Sequence, residues 1–174
     1  MGIGFRPTSF FFRPDAVPLV ETLCHFSALG SCEVLQEYEH TLTLLVRGVK
    51  LSFFVVDAPW MAAPVAYRDF RVATVEDIAL MKPAAIAGRG SRKDFIDLYV
   101  ILQDARRMED LMANLGRKYP GKKATAYHIL RSLTWFEDAE KEPMPRMLIP
   151  LEWNDCKSFF IREARRVTLP PDVR

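Results

Sequence analysis

The apolar residues of this chain change their spacing once, near Thr74, and that change limits the folds open to it. Before it, residues 9–12, 32–38, 41–46 and 49–56 alternate or run apolar as strands do. Asp15 and Gly30 are typical of the start and end of a helix between the first two strands. After it, apolar residues recur at helical spacing over 75–87, 92–105, 108–118, 124–136 and 155–166.

Strands followed by helices predict an α+β fold, with a small mixed sheet and a C-terminal helical bundle. We place a strand-rich part at 1–73 and a helical part at 74–174, packed as one unit, with residues 58–70 as a connector. Arg47-Gly48 fits a hairpin turn. The run that ends at Val56 is apolar on both faces, which is typical of a central strand. Thr74-x-x-Asp77 and Ser91-x-x-Asp94 resemble capping boxes, which predicts that each begins a helix.

Composition excludes several classes of protein. The 174 residues carry a formal net charge of only +2, which argues against a nucleic-acid-coating protein. The three cysteines and three histidines are scattered without zinc-site spacing. No apolar run reaches the ~18 residues of a membrane helix, and no signal peptide is visible. We therefore expect a cytoplasmic protein that does not enter the membrane.

The segment 92–105 is the least ordinary helix of the chain. It is apolar nearly all round and therefore predicted to be mostly buried, yet it carries Asp94 and Asp97. Buried carboxylates need cations or a cleft. One interpretation is structural, in which Asp94 caps the helix and Asp97 pairs with Lys93 at i, i+4. The other is that they belong to a functional site with Lys82 and Arg89.

Five polar residues in an apolar frame carry a family resemblance: Lys82, Arg89, Lys93, Asp94 and Asp97. Together with segments 48–54 and 133–140, the stretch 72–98 resembles the AbiEii-type nucleotidyltransferases, which include toxins of type IV toxin–antitoxin systems. The likeness covers most of residues 30–165. It implies a DNA-polymerase-β-like nucleotidyltransferase core with a helical part, and transfer of a nucleotide to an acceptor, which in some members is a tRNA end.

The resemblance also implies roles for these residues. Lys82, Asp94 and Asp97 would be catalytic, with Lys82 as the cation that faces phosphate and Asp94 as a base or orienting group. Lys82, Arg89 and Lys93 would bind nucleotide or phosphate. An active member would use Mg²⁺ and a nucleoside triphosphate, because carboxylates hold the metal against the phosphates.

The chain departs from the family pattern at its beginning and at Pro83. The family's Gly-Ser turn and Asp-x-Asp pair are missing, so the core is expected to be truncated, and the strand that should carry the pair reads Ser9-Phe10-Phe11-Phe12. Mg²⁺ prefers oxygen ligands, and we find no metal site beyond a weak candidate at Asp57. We therefore expect weak or absent transfer, unless the natural reading frame begins upstream.

The alternative is a degenerate module that binds a nucleotide, an RNA or a protein on the same fold. Two basic clusters are candidates for phosphate contacts, although solvated helix ends explain them as well; they are Arg117-Lys118 with Lys122-Lys123, and Arg162 with Arg165-Arg166. Expected partners are a nucleotide or RNA and a cognate antitoxin. A second copy of the chain is expected to pair through the N-terminal strand. Trp60, Trp135 and Trp153 are expected to be anchors in the core or at the seam between the two parts.

Overall fold

The computed structural model describes residues 9–12, 19–38, 41–56, 58–68, 70–104, 107–120 and 124–167. The chain divides into two compact units, Met1–Ala58 and Pro59–Arg174. The predicted N-cap Asp15 and the metal candidate Asp57 lie outside the described residues.

The first unit is a mixed four-stranded sheet with one described helix. Its elements are β1 (Ser9–Phe12), α1 (Leu19–Ser27), β2 (Cys32–Tyr38), β3 (Thr41–Val46) and β4 (Val49–Val55). The strand order is β1-β4-β3-β2, and β1 runs parallel to β4 while the other pairs are antiparallel. The predicted central position of β4 and the hairpin at Arg47-Gly48 are confirmed. Both turn residues have positive φ, 49° and 79°, as a tight hairpin with matching twist requires.

Alternate side chains along the strands form the core of this unit. Four strand side chains are buried together, with Leu23 and Phe26 of α1 packed against them; the four are Leu42, Leu44, Val46 and Phe53. β2 lies at one edge of the sheet, with most of its side chains exposed. A bulge between Val34 and Gln36 interrupts its register with β3.

The second unit begins with a short hairpin and continues with six helices in its described part. The elements are β5 (Val65–Tyr67), β6 (Phe70–Val72), α2 (Val75–Arg89), α3 (Arg92–Gln103), α4 (Met108–Lys118), α5 (Ala124–Ser132), α6 (Glu137–Lys141) and α7 (Trp153–Arg166). The prediction of a plain connector over 58–70 was wrong at its end, because strands of three residues are too short to show a period. The α+β class, the mixed sheet and the C-terminal helices are confirmed.

The core of the second unit centres on α3. Phe95 and Leu98 are fully buried, and the ring of Phe95 lies 5.1 Å from Phe136 and 5.5 Å from Phe160, centroid to centroid. Trp153 lies at the edge of this aromatic group, 5.9 Å from Phe95. Trp135 is 58% exposed, so its predicted core position was wrong; it follows the turn that ends α5. None of the helices in the described part of the chain is long and apolar enough to span a bilayer.

Candidate functional site

α2 and α3 place four of the five charged residues of the predicted site on facing surfaces. Lys82 and Arg89 are seven residues apart on α2, which puts them on one face two turns apart. Asp94 and Asp97 are three apart at the start of α3 and share a face in the same way. Gly90 joins the helices in the left-handed conformation, at φ 60°, and its N–H donates to the Ile86 carbonyl. This tight link folds α3 back along α2.

The four side chains form one connected network, which we call the α2–α3 charge cluster. Lys82 Nζ donates to Asp94 Oδ1 at 3.0 Å and to Asp97 Oδ2 at 2.5 Å. Arg89 donates from Nε to Asp94 Oδ2 at 2.6 Å and from Nη2 to Asp94 Oδ1 at 3.0 Å. Asp94 therefore receives a bidentate guanidinium and an ammonium, whereas Asp97 shares only the ammonium.

Asp94 and Asp97 differ in their affinity for a proton, because their surroundings differ. Asp94 is fully buried. Burial alone would raise its pKa, but the hydrogen bonds from Arg89 and the charge of Lys82 hold that pKa below its ordinary value. Desolvation raises the pKa of Asp97, and the attraction of Lys82 does not fully offset it. Asp94 is thus a fixed anion, and Asp97 is the member of the cluster that takes up a proton more readily.

Pro83 lies inside α2, which continues through it to Arg89. Its ring supplies no N–H, so one backbone hydrogen bond of the helix is absent next to Lys82. Pro83 is itself buried, so the ring contributes to packing at that turn. The departure from the family pattern at this position does not keep Lys82 from its two carboxylates.

A side chain from far along the chain closes the first turn of α3. Glu142 Oε2 accepts from the Arg92 N–H and from Ser91 Oγ, both at 2.8 Å. Ser91 makes no side-chain cap of its own, so the predicted capping box at Ser91-Asp94 was wrong. Sequence reasoning missed Glu142 because it lies 50 residues away in a proline-rich stretch, where no local pattern indicates a helix cap.

Arg92 anchors the same turn from inside. It is 9% exposed, and its Nε donates to the Ala139 carbonyl at 2.8 Å. Its guanidinium lies 5.0 Å from the centroid of the Trp153 ring and 3.4 Å from Glu140 Oε2. α6 and α7 therefore hold the end of α3 that carries Asp94. Sequence reasoning missed this role of Arg92, because no local pattern indicates a partner 47 residues away.

A second ion pair lies deep in the same unit. Lys118 Nζ donates to Asp77 Oδ1 at 2.6 Å and to the Pro59 carbonyl at 2.8 Å, and the side chains are 1% and 0% exposed. The Asp77 carboxylate also accepts the N–H groups of Met61 and Ala62. The hydrogen bond from the Asp77 N–H to Thr74 Oγ1 confirms the predicted cap of α2. Lys118 is a buried partner, so its predicted place in a surface phosphate cluster was wrong.

The other predicted site residues lie apart from the charge cluster. Lys93 is exposed and acts on Asp97 only through longer-range attraction, so the alternative in which the two pair was wrong. Arg162 and Arg166 both pair with Glu163. Lys122 and Lys123 lie outside the described residues.

The α2–α3 charge cluster does not fit a Mg²⁺ site as it stands. A magnesium ion needs carboxylate oxygens that face it. Both oxygens of Asp94 already face Lys82 and Arg89, and Asp97 Oδ2 faces Lys82. Among the described residues, no group of three His, Cys, Asp or Glu side chains is placed to hold a metal ion.

One protein family matches most of the chain. Residues 37–173 match the family described as "Nucleotidyl transferase AbiEii toxin, Type IV TA system". The protein described as "Uncharacterized protein aq_aa25" from Aquifex aeolicus (strain VF5) is 34% identical over 137 residues. That alignment covers 75% of this chain and 63% of the relative, so the chain spans less than two thirds of it. The solved structure of JHP933 from Helicobacter pylori aligns with 91% of this chain and 73% of its own, at 12% identity and a TM-score of 0.44.

Proposed function

Because the chain belongs to the AbiEii nucleotidyltransferase toxin family of type IV toxin–antitoxin systems, we propose that its α2–α3 charge cluster binds the phosphates of a nucleoside triphosphate. One observation carries the proposal: two carboxylates hold Lys82 in place while Arg89, whose side chain is 55% exposed, lies beside it. A held ammonium next to a half-exposed guanidinium is a preformed site for phosphate oxygens.

The four residues have different roles in this proposal. Lys82 is the cation that meets the phosphates, and Arg89 adds a second contact from its exposed edge. Asp94 orients both cations, because it is fully buried and bonded to each. Asp97, which is 24% exposed, takes up a proton from solvent as it releases Lys82 to the phosphate, and its raised pKa favours this uptake. Lys93 lies nearby as an exposed charge that attracts the nucleotide.

Transfer of the nucleotide by this chain is weak or absent in our proposal. By the resemblance, the metal-binding Asp pair belongs on the strand that reads Ser9-Phe10-Phe11-Phe12, and this strand offers no carboxylate to a magnesium ion. Where transfer occurs, Mg²⁺ supplies charge neutralisation at the triphosphate. Asp57, at the end of the β4 run, stays the weak candidate ligand.

The family also supports proposals about partners and location. We expect a cognate antitoxin and a nucleotide or RNA as partners, and the cytoplasm as location. β1 forms one edge of the four-stranded sheet, so it stays the predicted surface for pairing with a second copy.

Titration calorimetry with ATP, GTP, CTP and UTP, each with and without Mg²⁺, tests the proposal. At least one triphosphate should bind, and Lys82→Met should weaken that binding by about tenfold or more, since a charge-assisted phosphate contact is worth about 1.5–3 kcal/mol. Arg89→Met gives the same test if Lys82→Met does not fold. Arg117→Met is the matched control, because Arg117 is exposed and contacts Asn114 on its own helix. The proposal is wrong if no triphosphate binds, or if the control loses binding equally.

Dependence on Mg²⁺ separates the enzyme from the degenerate binding module. Binding that is equal without Mg²⁺, with no labelled nucleotide transferred to RNA, supports the module. The occupied oxygens of Asp94 favour that outcome. Transfer that needs Mg²⁺ and is lost in Asp94→Asn would establish an active enzyme and overturn the expectation of weak activity.

A further inference from the structure

The surface of the second unit carries an apolar groove that the charge cluster does not use. A groove of about 400 Å³ opens on the second unit between α5 and α7. Its apolar floor and rim come from both helices and include exposed side chains; the residues are Tyr127, Leu130, Ile161 and Ala164. Tyr127 is 60% exposed and Ile161 is 38% exposed, so solvent reaches much of this apolar area.

The charged side chains that line the groove are all basic. Arg131 enters it from α5 and Arg165 from α7, and both are exposed. In the part of the chain that the structure describes, neither guanidinium lies within ion-pair distance of a carboxylate. The nearby Glu163 is occupied by Arg162 and Arg166. Two arginines flanking an apolar slot give the groove a positive rim.

We propose that this groove binds an acidic peptide segment of a partner protein, with one bulky apolar side chain seated between two carboxylates. The apolar side chain fills the slot over Leu130 and Ile161, and the carboxylates pair with Arg131 and Arg165. Tyrosine and arginine around an apolar centre are the residues that dominate protein–protein interfaces. The inference is independent of nucleotide binding, since it uses none of the residues of the α2–α3 charge cluster.

The lining favours a peptide over single-stranded RNA. Sites for single-stranded nucleic acid stack successive bases on several aromatic rings. This groove offers a single ring, Tyr127, and its floor is otherwise aliphatic. The aliphatic residues of the groove suit a leucine, isoleucine or phenylalanine side chain together with its flanking residues better than a run of stacked bases.

A selection from random dodecapeptides displayed on phage tests the inference. The whole chain is the bait, and the double variant Arg131→Glu/Arg165→Glu is used for counter-selection. Enriched peptides should carry Asp or Glu on both sides of one large apolar residue. Synthetic fluorescein-labelled copies, measured by anisotropy, should bind the wild type at least about tenfold more tightly than the double variant. Their affinity should fall as salt is raised.

Two controls make the result decisive. Ile161→Asp places a carboxylate in the apolar part of the groove and should abolish peptide binding. The charge-matched double variant Arg117→Glu/Arg146→Glu, at exposed sites outside the groove, should leave peptide binding unchanged. All these side chains are exposed, and circular dichroism confirms that each variant folds. A fluorescein-labelled twelve-nucleotide oligouridylate is the competing probe. The inference is overturned if no acidic peptide is enriched, if the charge-matched control loses binding equally, or if the groove variants lose RNA but not peptide.

Discussion

The buried pair of Lys118 and Asp77 predicts a large loss of stability when either partner is replaced. Lys118→Met keeps the length of the side chain and removes its charge. The change leaves Asp77, which is fully buried, with two backbone N–H donors and the Thr74 hydroxyl but without a counter-charge. It also leaves the Pro59 carbonyl without the donor it has now.

The magnitude follows from that burial. Breaking a buried ion pair on one side costs about 3–5 kcal/mol, because the remaining charge stays out of water. Small domains have only about 5–15 kcal/mol in total, so the second unit should lose a large share of its stability. Asp77→Asn should cost a similar amount. The double variant should cost less than the sum, with a coupling of about 2 kcal/mol, because no charge is then left unpaired.

Urea unfolding followed by tryptophan fluorescence measures these changes in the second unit, since all three tryptophans, at positions 60, 135 and 153, lie within Pro59–Arg174. Lys141→Met is the matched control: its pair with Asp138 is exposed, at 72% and 57%, and should change stability by less than about 1 kcal/mol. The reasoning is refuted if Lys118→Met is no more harmful than Lys141→Met, or if the two single changes simply add.

The pH dependence of the same variant has a definite sign. Burial raises the pKa of Asp77, but the hydrogen bonds from Lys118 and the backbone outweigh it and lower the pKa below the ordinary value of 3.8. A depressed pKa contributes stability above pH 3.8, and that contribution is lost as the pH falls through the folded-state value. The difference in stability between the wild type and Lys118→Met should therefore be largest near neutral pH and shrink below about pH 4.

Three further predictions follow from other parts of the second unit. Burial raises the pKa of the Cys156 thiol to about 12, so it should resist thiol reagents at pH 8 and react only after unfolding in urea. Gly90→Ala should lower the free energy of unfolding by about 1–2 kcal/mol, because φ at Gly90 is 60° and a Cβ would lie 3.1 Å from an aspartate side chain. Gly88→Ala, in open space on α2, should raise the free energy of unfolding by about 0.5–1 kcal/mol. Fluorescence-monitored unfolding measures both changes. Carboxyl NMR should find the pKa of Asp94 below 3.8 and the pKa of Asp97 above it. The stability contributed by Asp94 is therefore lost as the pH falls, and that contributed by Asp97 is lost as the pH rises through its raised pKa. Midpoints in the reverse order would contradict the geometry.

Elements with a clear hydrophobic period could be predicted from the sequence. The strands from Cys32 to Val55 and the helices α2, α3 and α4 were found close to their observed bounds, because each buries one regular face. β5 and β6 were missed, since three residues give no period. The exposure of Trp135 could not be foreseen either, because residue type says little about which side of a turn faces solvent.

The proximity of the residues in the α2–α3 charge cluster could be predicted from the sequence, whereas the buried pair of Lys118 and Asp77 could not. Lys82, Arg89, Asp94 and Asp97 lie within sixteen residues on two consecutive helices, so their spacing already brought them together. Lys118 and Asp77 are 41 residues apart in the sequence. A lysine at the C-terminus of a helix is also expected without any such partner, because its charge interacts favourably with the helix dipole. Nothing in the sequence shows whether a lysine at such a position is exposed to solvent or buried in an ion pair.

The hydrogen bond between Glu142 and the first turn of α3 can form only late in synthesis of the chain. During synthesis the helix that carries Asp94 is complete as a sequence at Gln103, but the Arg92 N–H in its first turn lacks its carboxylate acceptor until residue 142 has been made. The Ala139 carbonyl that holds Arg92 arrives equally late. At about 5–20 residues per second, the interval between residues 92 and 142 lasts about 3–10 s. A nascent chain therefore carries the α2–α3 charge cluster for seconds before the first turn of α3 gains its contacts with residues 139 and 142.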